Sequence, residues 1–206
     1  MYHDDKWNAV TGAELAGFLE QINPIDGKYK VSADSTRVEW RQLPFYDSVA
    51  LIRVKDPNWV NQKLTIYYLT DQGNLFRLNG TSPPIHEVNA KAPIKVNEQN
   101  VLEYLRFFCF FVRGEEGPFY IAESMEDPNI PTDMDDTTRS VVEGTVREAT
   151  FDGVNEQGHF LCDAVVFYSN ALFIANFAVQ PTGMIEMLDD EPIAADLPTK
   201  VDQPVA

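Results

Sequence analysis

Basic residues are scarce in the second half of this chain. Residues 114–206 hold three Lys and Arg against nineteen Asp and Glu, whereas residues 1–113 hold thirteen of each. The net charge of −16 therefore comes entirely from the second half. A field of that sign repels nucleic acid and anionic membranes and favours basic proteins or cations. Cysteine is nearly absent too. Cys109 and Cys162 sit in apolar runs, so two buried thiols are expected rather than a disulfide. No run approaches the eighteen or so apolar residues of a membrane span. "MYHDDKWNAV" has neither a basic nor an apolar leader region, so a cytoplasmic protein is expected.

Catalytic signatures are missing as well. The chain has no G-x-S-x-G, H-E-x-x-H, P-loop, G-x-G-x-x-G or C-x-x-C. The three histidines, His3, His86 and His159, are scattered through a terminus, a proline-bearing connection and a hairpin shoulder. Lone turn histidines are usually solvated. These absences point away from an enzyme.

What is present is a folded composition with many aromatics, 13 Phe and 8 Tyr among 206 residues. Thr11 and Glu14 form a capping-box pattern ahead of Leu15, Phe18, Leu19 and Ile22 at helical spacing, and Asn23-Pro24 is the expected stop. The runs "KYKVS", "TRVEWRQ", "DSVALIRV", "KLTIYYLT" and "LFRLNG" follow, separated by turn residues, and predict an antiparallel meander. Residues 80–96, with Pro83, Pro84 and Pro93, read as a connection. A second helix is expected over 97–113, capped by Asn97 and stopped by Gly114. Its apolar residues, Val101 to Val112, cover well over half the circumference. Such a helix belongs in a core rather than on one flat partner. Beyond it, "PFYIAES", "GTVREATFDG", "HFLCDAVVFY", "ALFIANFAV" and "MIEML" predict a second meander.

The expected fold is α+β, with antiparallel sheet curved around a central buried helix at about 97–113. Apolar residues at +2 and +5 after both Gly73 and Gly183 leave open a diverged tandem duplication of one α–β(4–5) unit. The expected organisation is a net-neutral half at 1–96, an acidic half at 97–188 and a flexible acidic tail at 189–206, with the two halves forming one compact unit.

Two segments are candidate sites. Glu123, Asp133, Asp135 and Asp136 lie in or near an acidic loop and offer hard oxygen ligands for Ca²⁺ or Mg²⁺. Thr137 and Thr138 stand where a calcium loop would place a ligand and a glycine, so most of that motif is missing. The second candidate is "RGEEGPF". Phe110 lies on the helix's polar strip, and Arg113, Glu115 and Glu116 follow at the helix C-terminus, where carboxylates are electrostatically unfavourable. These four are candidate partner contacts.

Lys28, Lys30, Arg37, Arg41, Arg53, Lys55 and Lys63 interleave with Tyr29, Trp40 and Tyr46 in the first meander. Acidic neighbours and the overall charge argue against nucleic acid there. Pairing with the acidic half, within the chain or on self-association, is the expected use. The preferred function is a non-catalytic binding or adaptor module for a basic protein partner. One alternative is a metal-assisted hydrolase or small-ligand enzyme using residues 123–136. Another is a chaperone-like or inhibitor module binding through strand edges.

Overall fold

A computed structural model describes residues 6–25 and 29–198. The fold is α+β, and among the described residues its sheets are built on antiparallel pairs. The chain divides into two compact units. The described part of unit 1 runs to Asn79 and resumes over Pro83–Ala92. Unit 2 takes Gly80–Ser82 and the chain from Pro93. No helix among the described residues is long and apolar enough to cross a membrane.

Unit 1 contains β1 (Asn8–Ala9), α1 (Gly12–Ile25), β2 (Arg37–Gln42), β3 (Ala50–Lys55), β4 (Ile66–Asp71), β5 (Asn74–Leu78) and α2 (Pro83–Lys91). Its strands form a five-stranded meander in sequence order. The expected stripe of α1 is the one that packs: Leu19 and Ile22 are buried with Val38, Ile52, Val54, Ile66 and Tyr68, and Leu15 and Phe18 lie against them. On the opposite face Leu51, Leu69, Phe76 and Leu78 are buried, and α2 packs on β4 and β5 through buried Ile85 and Val88. The β4–β5 turn places Gln72 at φ 48° and Gly73 at φ 84°. That is the backbone of a type I′ hairpin, which glycine tolerates best.

Three expectations for this unit are corrected. The segment read as a connection over 80–96 contains α2. Its two prolines occupy the first helical turn, where a missing N–H costs nothing. "KYKVS" forms no strand in its described part, Tyr29–Ser32. The place beside β2 is taken by β1, with Asn8 opposite Trp40 and Ala9 opposite Glu39. Tyr29 and Val31 instead pack against the core, and Trp59 Nε1 donates to the Lys30 carbonyl at 2.8 Å. Helix α1 continues past the expected stop to Ile25. Lys28, among the basic residues singled out, lies outside the described residues.

Unit 2 contains α3 (Val101–Phe111), β6 (Arg113–Gly114), β7 (Gly117–Pro118), β8 (Tyr120–Ile121), α4 (Asp136–Thr145), β9 (Thr150–Val154), β10 (Phe160–Tyr168), β11 (Ala171–Val179) and β12 (Ile185–Ala194). In its main sheet β12, β11 and β10 lie side by side, and β8 and β9 both pair with the far edge of β10. β6 and β7 form a separate two-stranded hairpin.

Helix α3 is as enclosed as its sequence requires. Val101, Tyr104, Leu105, Phe107, Cys109 and Phe111 are buried, and among the residues of the helix only Glu103 is exposed. The helix is shorter than expected at both ends. Asn97 and Asn100 close a turn ahead of it, with Asn100 Oδ1 accepting the Asn97 N–H at 2.8 Å and Asn97 Oδ1 accepting the Gln99 N–H at 2.9 Å. At the other end the backbone becomes extended at Val112, and the Arg113 N–H donates to the Gly80 carbonyl. Gly114 is therefore a strand residue of β6, not the helix stop.

Two further segments depart from expectation. "GTVREATFDG" is not a single strand, because Gly144 and Thr145 end α4 and β9 begins at Thr150. The tail expected from Asp189 is ordered strand as far as Ala194. Beyond it, Leu197 is buried with Ala122, Ile130, Val142, Val165, Phe167 and Leu172, and its N–H donates to the Asn170 carbonyl at 2.9 Å. The two units differ in strand order, and Gly73 and Gly183 share only a place in a hairpin turn with φ near +84°. Their common spacing is a property of hairpins.

Candidate functional site

Of the four carboxylates proposed for a metal, three have other roles. Glu123 accepts from Arg106 through both oxygens, at 2.9 and 2.6 Å, and also from the Ala149 N–H at 3.0 Å. It ties α3 to the segment ahead of β9. Asp135 is the N-cap of α4, accepting the Thr137 and Thr138 N–H groups at 3.0 Å and Thr138 Oγ1 at 2.7 Å. The two bonds from Thr138, with that from Thr137, hold its carboxyl below the usual range and outweigh the desolvation that opposes them. Asp136 is the first residue of α4, where a negative charge suits the helix dipole, and Asp133 is exposed. Among the described residues no three His, Cys, Asp or Glu are grouped to hold a metal ion. The Ca²⁺ or Mg²⁺ expectation therefore has no ligand set in the described chain.

The second candidate segment is brought to something. Phe110 is half-buried, edge-on to Phe111 at 4.9 Å. Arg113 lays its stem along Gly80, and its Nε is buried without a hydrogen-bond partner among the described residues. Glu115 and Glu116 are exposed at the turn of the β6–β7 hairpin. The Glu116 backbone N–H donates to Tyr168 Oη at 2.9 Å. Gly114 lies so close to that hydroxyl that a Cβ would fall 2.3 Å from it. The Tyr168 ring stacks on Phe119 with centroids 4.4 Å apart and planes 11° from parallel. "RGEEGPF" thus serves as the buttress of one tyrosine.

Tyr168 belongs to a cleft on one face of the main sheet. The Ser169-Asn170 turn sets Tyr168 opposite Ala171, Val166 opposite Phe173 and Ala164 opposite Ala175, so these residues share a face. On β12, Met187 pairs with Phe177 and Asp190 with Ala175. Residues three apart on a regular strand point to opposite faces. Here a bulge between these pairs inserts Leu188 and returns Asp190 to the face of Met187. The resulting cleft has a volume of about 210 Å³ and is lined by Phe119, Val166, Tyr168, Phe173, Ala175, Met187 and Asp190. Asp190 is the one charged group in the lining, and its carboxylate has no ion-pair partner among the described residues.

The rim carries the same two properties. Met184, Met187 and Leu188 are 46%, 40% and 53% exposed. Glu186, Asp189, Asp190 and Glu191 are exposed beside them. On the opposite side of the sheet Val165, Phe167 and Leu172 are closed off by Val142 of α4, Ile130 and Leu197. Helix α3 reaches this sheet through Tyr104, whose Oη donates to the Gly183 carbonyl at 2.7 Å, and β6 reaches it where Gly114 abuts Tyr168.

Neither cysteine supplies a nucleophile. Burial pushes the Cys109 thiol up to about 12, and burial aided by the Asp152 charge does the same to Cys162. His86 is held below its ordinary value by burial and lies on α2 in unit 1.

No family model matches this chain, and neither the curated proteins nor the solved structures contain a significant match to it.

The sequence singled out "RGEEGPF" as a partner contact rather than as the support of Tyr168, and it did not reveal the cleft. The Ser169-Asn170 turn was visible and could have placed Val166, Tyr168 and Phe173 on one face. Met187 and Asp190 could not be joined to them without the bulge.

Proposed function

We propose that this protein is a non-catalytic binding module, and that unit 2 docks a basic protein segment along β12 and the cleft beside it. The observation that carries this reading is the combination of an open apolar cleft with an unpaired carboxylate in its lining and exposed methionine, leucine and acidic side chains around it. An apolar surface ringed by one sign of charge suits a partner that alternates apolar and cationic residues. Unit 2 has twenty-one Asp and Glu against six Lys and Arg, so the long-range field steers such a partner towards it.

The other functions have less support. A metal-assisted hydrolase lacks grouped ligands among the described residues. At about 210 Å³ the cleft is below the roughly 300–1,000 Å³ of ordinary cofactor and substrate sites. Pairing of a foreign strand with β12 is opposed by Pro192, two register shifts and the row of carboxylates, all features that blunt sheet edges. A cytoplasmic location remains part of the proposal, supported by two free buried thiols.

The test is fluorescence anisotropy with a labelled acetyl-Ala-Arg-Val-Lys-Val-Arg-Ala-amide and its Glu-for-Arg/Lys counterpart. The basic peptide should bind with Kd below about 1 mM, weaken as salt rises, and lose affinity to the Asp189→Asn/Asp190→Asn double variant. Equal binding of the acidic peptide, or no binding of the basic one, rejects the proposal.

A further inference from the structure

We infer that the cleft receives a single quaternary ammonium side chain, that of a trimethylated lysine, from the basic partner. This rests on the binding reading above and specifies its ligand. Size comes first. A cleft of about 210 Å³ on one sheet face admits one side chain rather than a cofactor.

The second argument is a count of hydrogen-bond partners. The lining offers one free carboxylate, on Asp190, and one hydroxyl, on Tyr168, which already accepts the Glu116 N–H. Its other members, Phe119, Val166, Phe173, Ala175 and Met187, have apolar side chains. A lysine ammonium brings three donors and an arginine five, and beyond these two groups the side chains of the lining offer them no acceptor. A trimethylammonium group brings a full charge and no donor at all. Its methyl groups suit the Val, Ala and Met walls, and its charge is drawn to the aromatic rings of the lining, Phe173 beside the stacked Phe119–Tyr168 pair, and to the carboxylate.

The third argument is that the walls are held in place. Phe119 and Tyr168 are stacked, and the Tyr168 hydroxyl is fixed by the Glu116 N–H and by the close approach of Gly114. Val166, Phe173 and Ala175 are set by the β10–β11 register. The bulge at Leu188 points both Met187 and Asp190 towards them. A rigid site loses less entropy when it closes around a ligand.

Titration calorimetry on the full chain tests this with two peptides of the sequence above, one with lysine at the centre and one with trimethyl-lysine. The trimethylated peptide should bind roughly tenfold tighter, in line with desolvated cation–π contacts. Phe173→Leu, which keeps an apolar side chain but removes the ring, should cut that preference. Asp190→Asn should weaken both peptides, because both carry the positive charge that the carboxylate attracts. Circular dichroism confirms that both variants fold. If the two peptides bind equally, the trimethyl-lysine assignment falls while the basic-partner reading stands. If neither binds, both fall. A preference that persists undiminished in Phe173→Leu, or an affinity for both peptides that is unchanged in Asp190→Asn, places the binding outside this cleft and overturns the assignment.

Discussion

The two units draw on the same kinds of element but treat charge in opposite ways. Unit 1 has ten Lys and Arg against eleven Asp and Glu, and it builds several of them into its structure. Arg53 pairs with Glu39 at 2.6 Å and lies over the Trp7 ring, which Arg41 also approaches. Buried Asp71 accepts from Ser48, and buried Asp56 accepts from Ser35, Thr36 and the Asn58 N–H. Unit 2 uses Glu123 and Asp135 in this way but leaves a larger set of carboxylates in solvent, those of β12 included. Charge in unit 1 helps to specify the structure. Much of the charge in unit 2 is directed outward, where it governs encounters. Within unit 1, Arg53 of the meander pairs with Glu39, and Lys91 of α2 pairs with Glu87.

Breaking one core at a time gives the largest effect. Phe107→Ala removes a ring that is fully buried in α3 and should cost unit 2 about 3–5 kcal/mol. All three tryptophans, Trp7, Trp40 and Trp59, belong to unit 1, so their emission follows that unit alone. Urea unfolding followed by far-ultraviolet circular dichroism should shift, and tryptophan emission should shift less. Equal shifts in both would make the two units a single cooperative block.

Asp56→Asn probes the opposite design and should cost unit 1 about 1–3 kcal/mol, because an amide cannot replace an acceptor of three donors. Burial works against this carboxylate's charge, but the bonds from Thr36, Asn58 and Ser35 prevail and hold it below the ordinary range. A carboxyl depressed in the folded state stabilises it above the unfolded value, about 3.9, and that contribution fades as pH falls through the folded value. The wild-type chain should therefore lose tryptophan-monitored stability below about pH 4 more steeply than the variant does.

Gly114→Ala should be milder for stability and decisive for the cleft. Its new Cβ would displace the Tyr168 hydroxyl, so peptide affinity should fall several-fold while the melting temperature drops by only a few degrees. Unchanged affinity would remove Tyr168 from the site.

Salt should give the smallest effect. Added salt screens repulsion among the carboxylates of unit 2, so its unfolding midpoint should rise slightly while that of unit 1 stays level. A fall in the unit 2 midpoint would show instead that its charges are net attractive. Separately, a thiol reagent at about pH 8 should find both cysteines inert in the native chain and reactive in urea.

Much of this design could be read from the residues alone. The stripe of α1, the wide apolar arc of α3 and the runs that became β2 to β5, β10 and β11 carried strong periodicity, and the structure uses them as expected. The errors occurred where one residue type has two uses. Pro83 and Pro84 can break a helix or begin one, and Asp135 can bind a metal or cap a helix. Acidic residues after Leu188 suggested a mobile tail, yet β12 needs only backbone pairing with β11 to hold them in a strand. For the candidate site, the glycines of "RGEEGPF" were visible, but the tyrosine that requires Gly114 lies 54 positions further on.

Leu197 lies beyond the last strand, yet it is buried under the sheet, with its amide bonded to Asn170. A shortened chain ending at Leu188 would lose most of β12 and this anchor together, and with them Asp190. A reporter or affinity handle on that side therefore belongs after residue 198, where it leaves the anchor seated.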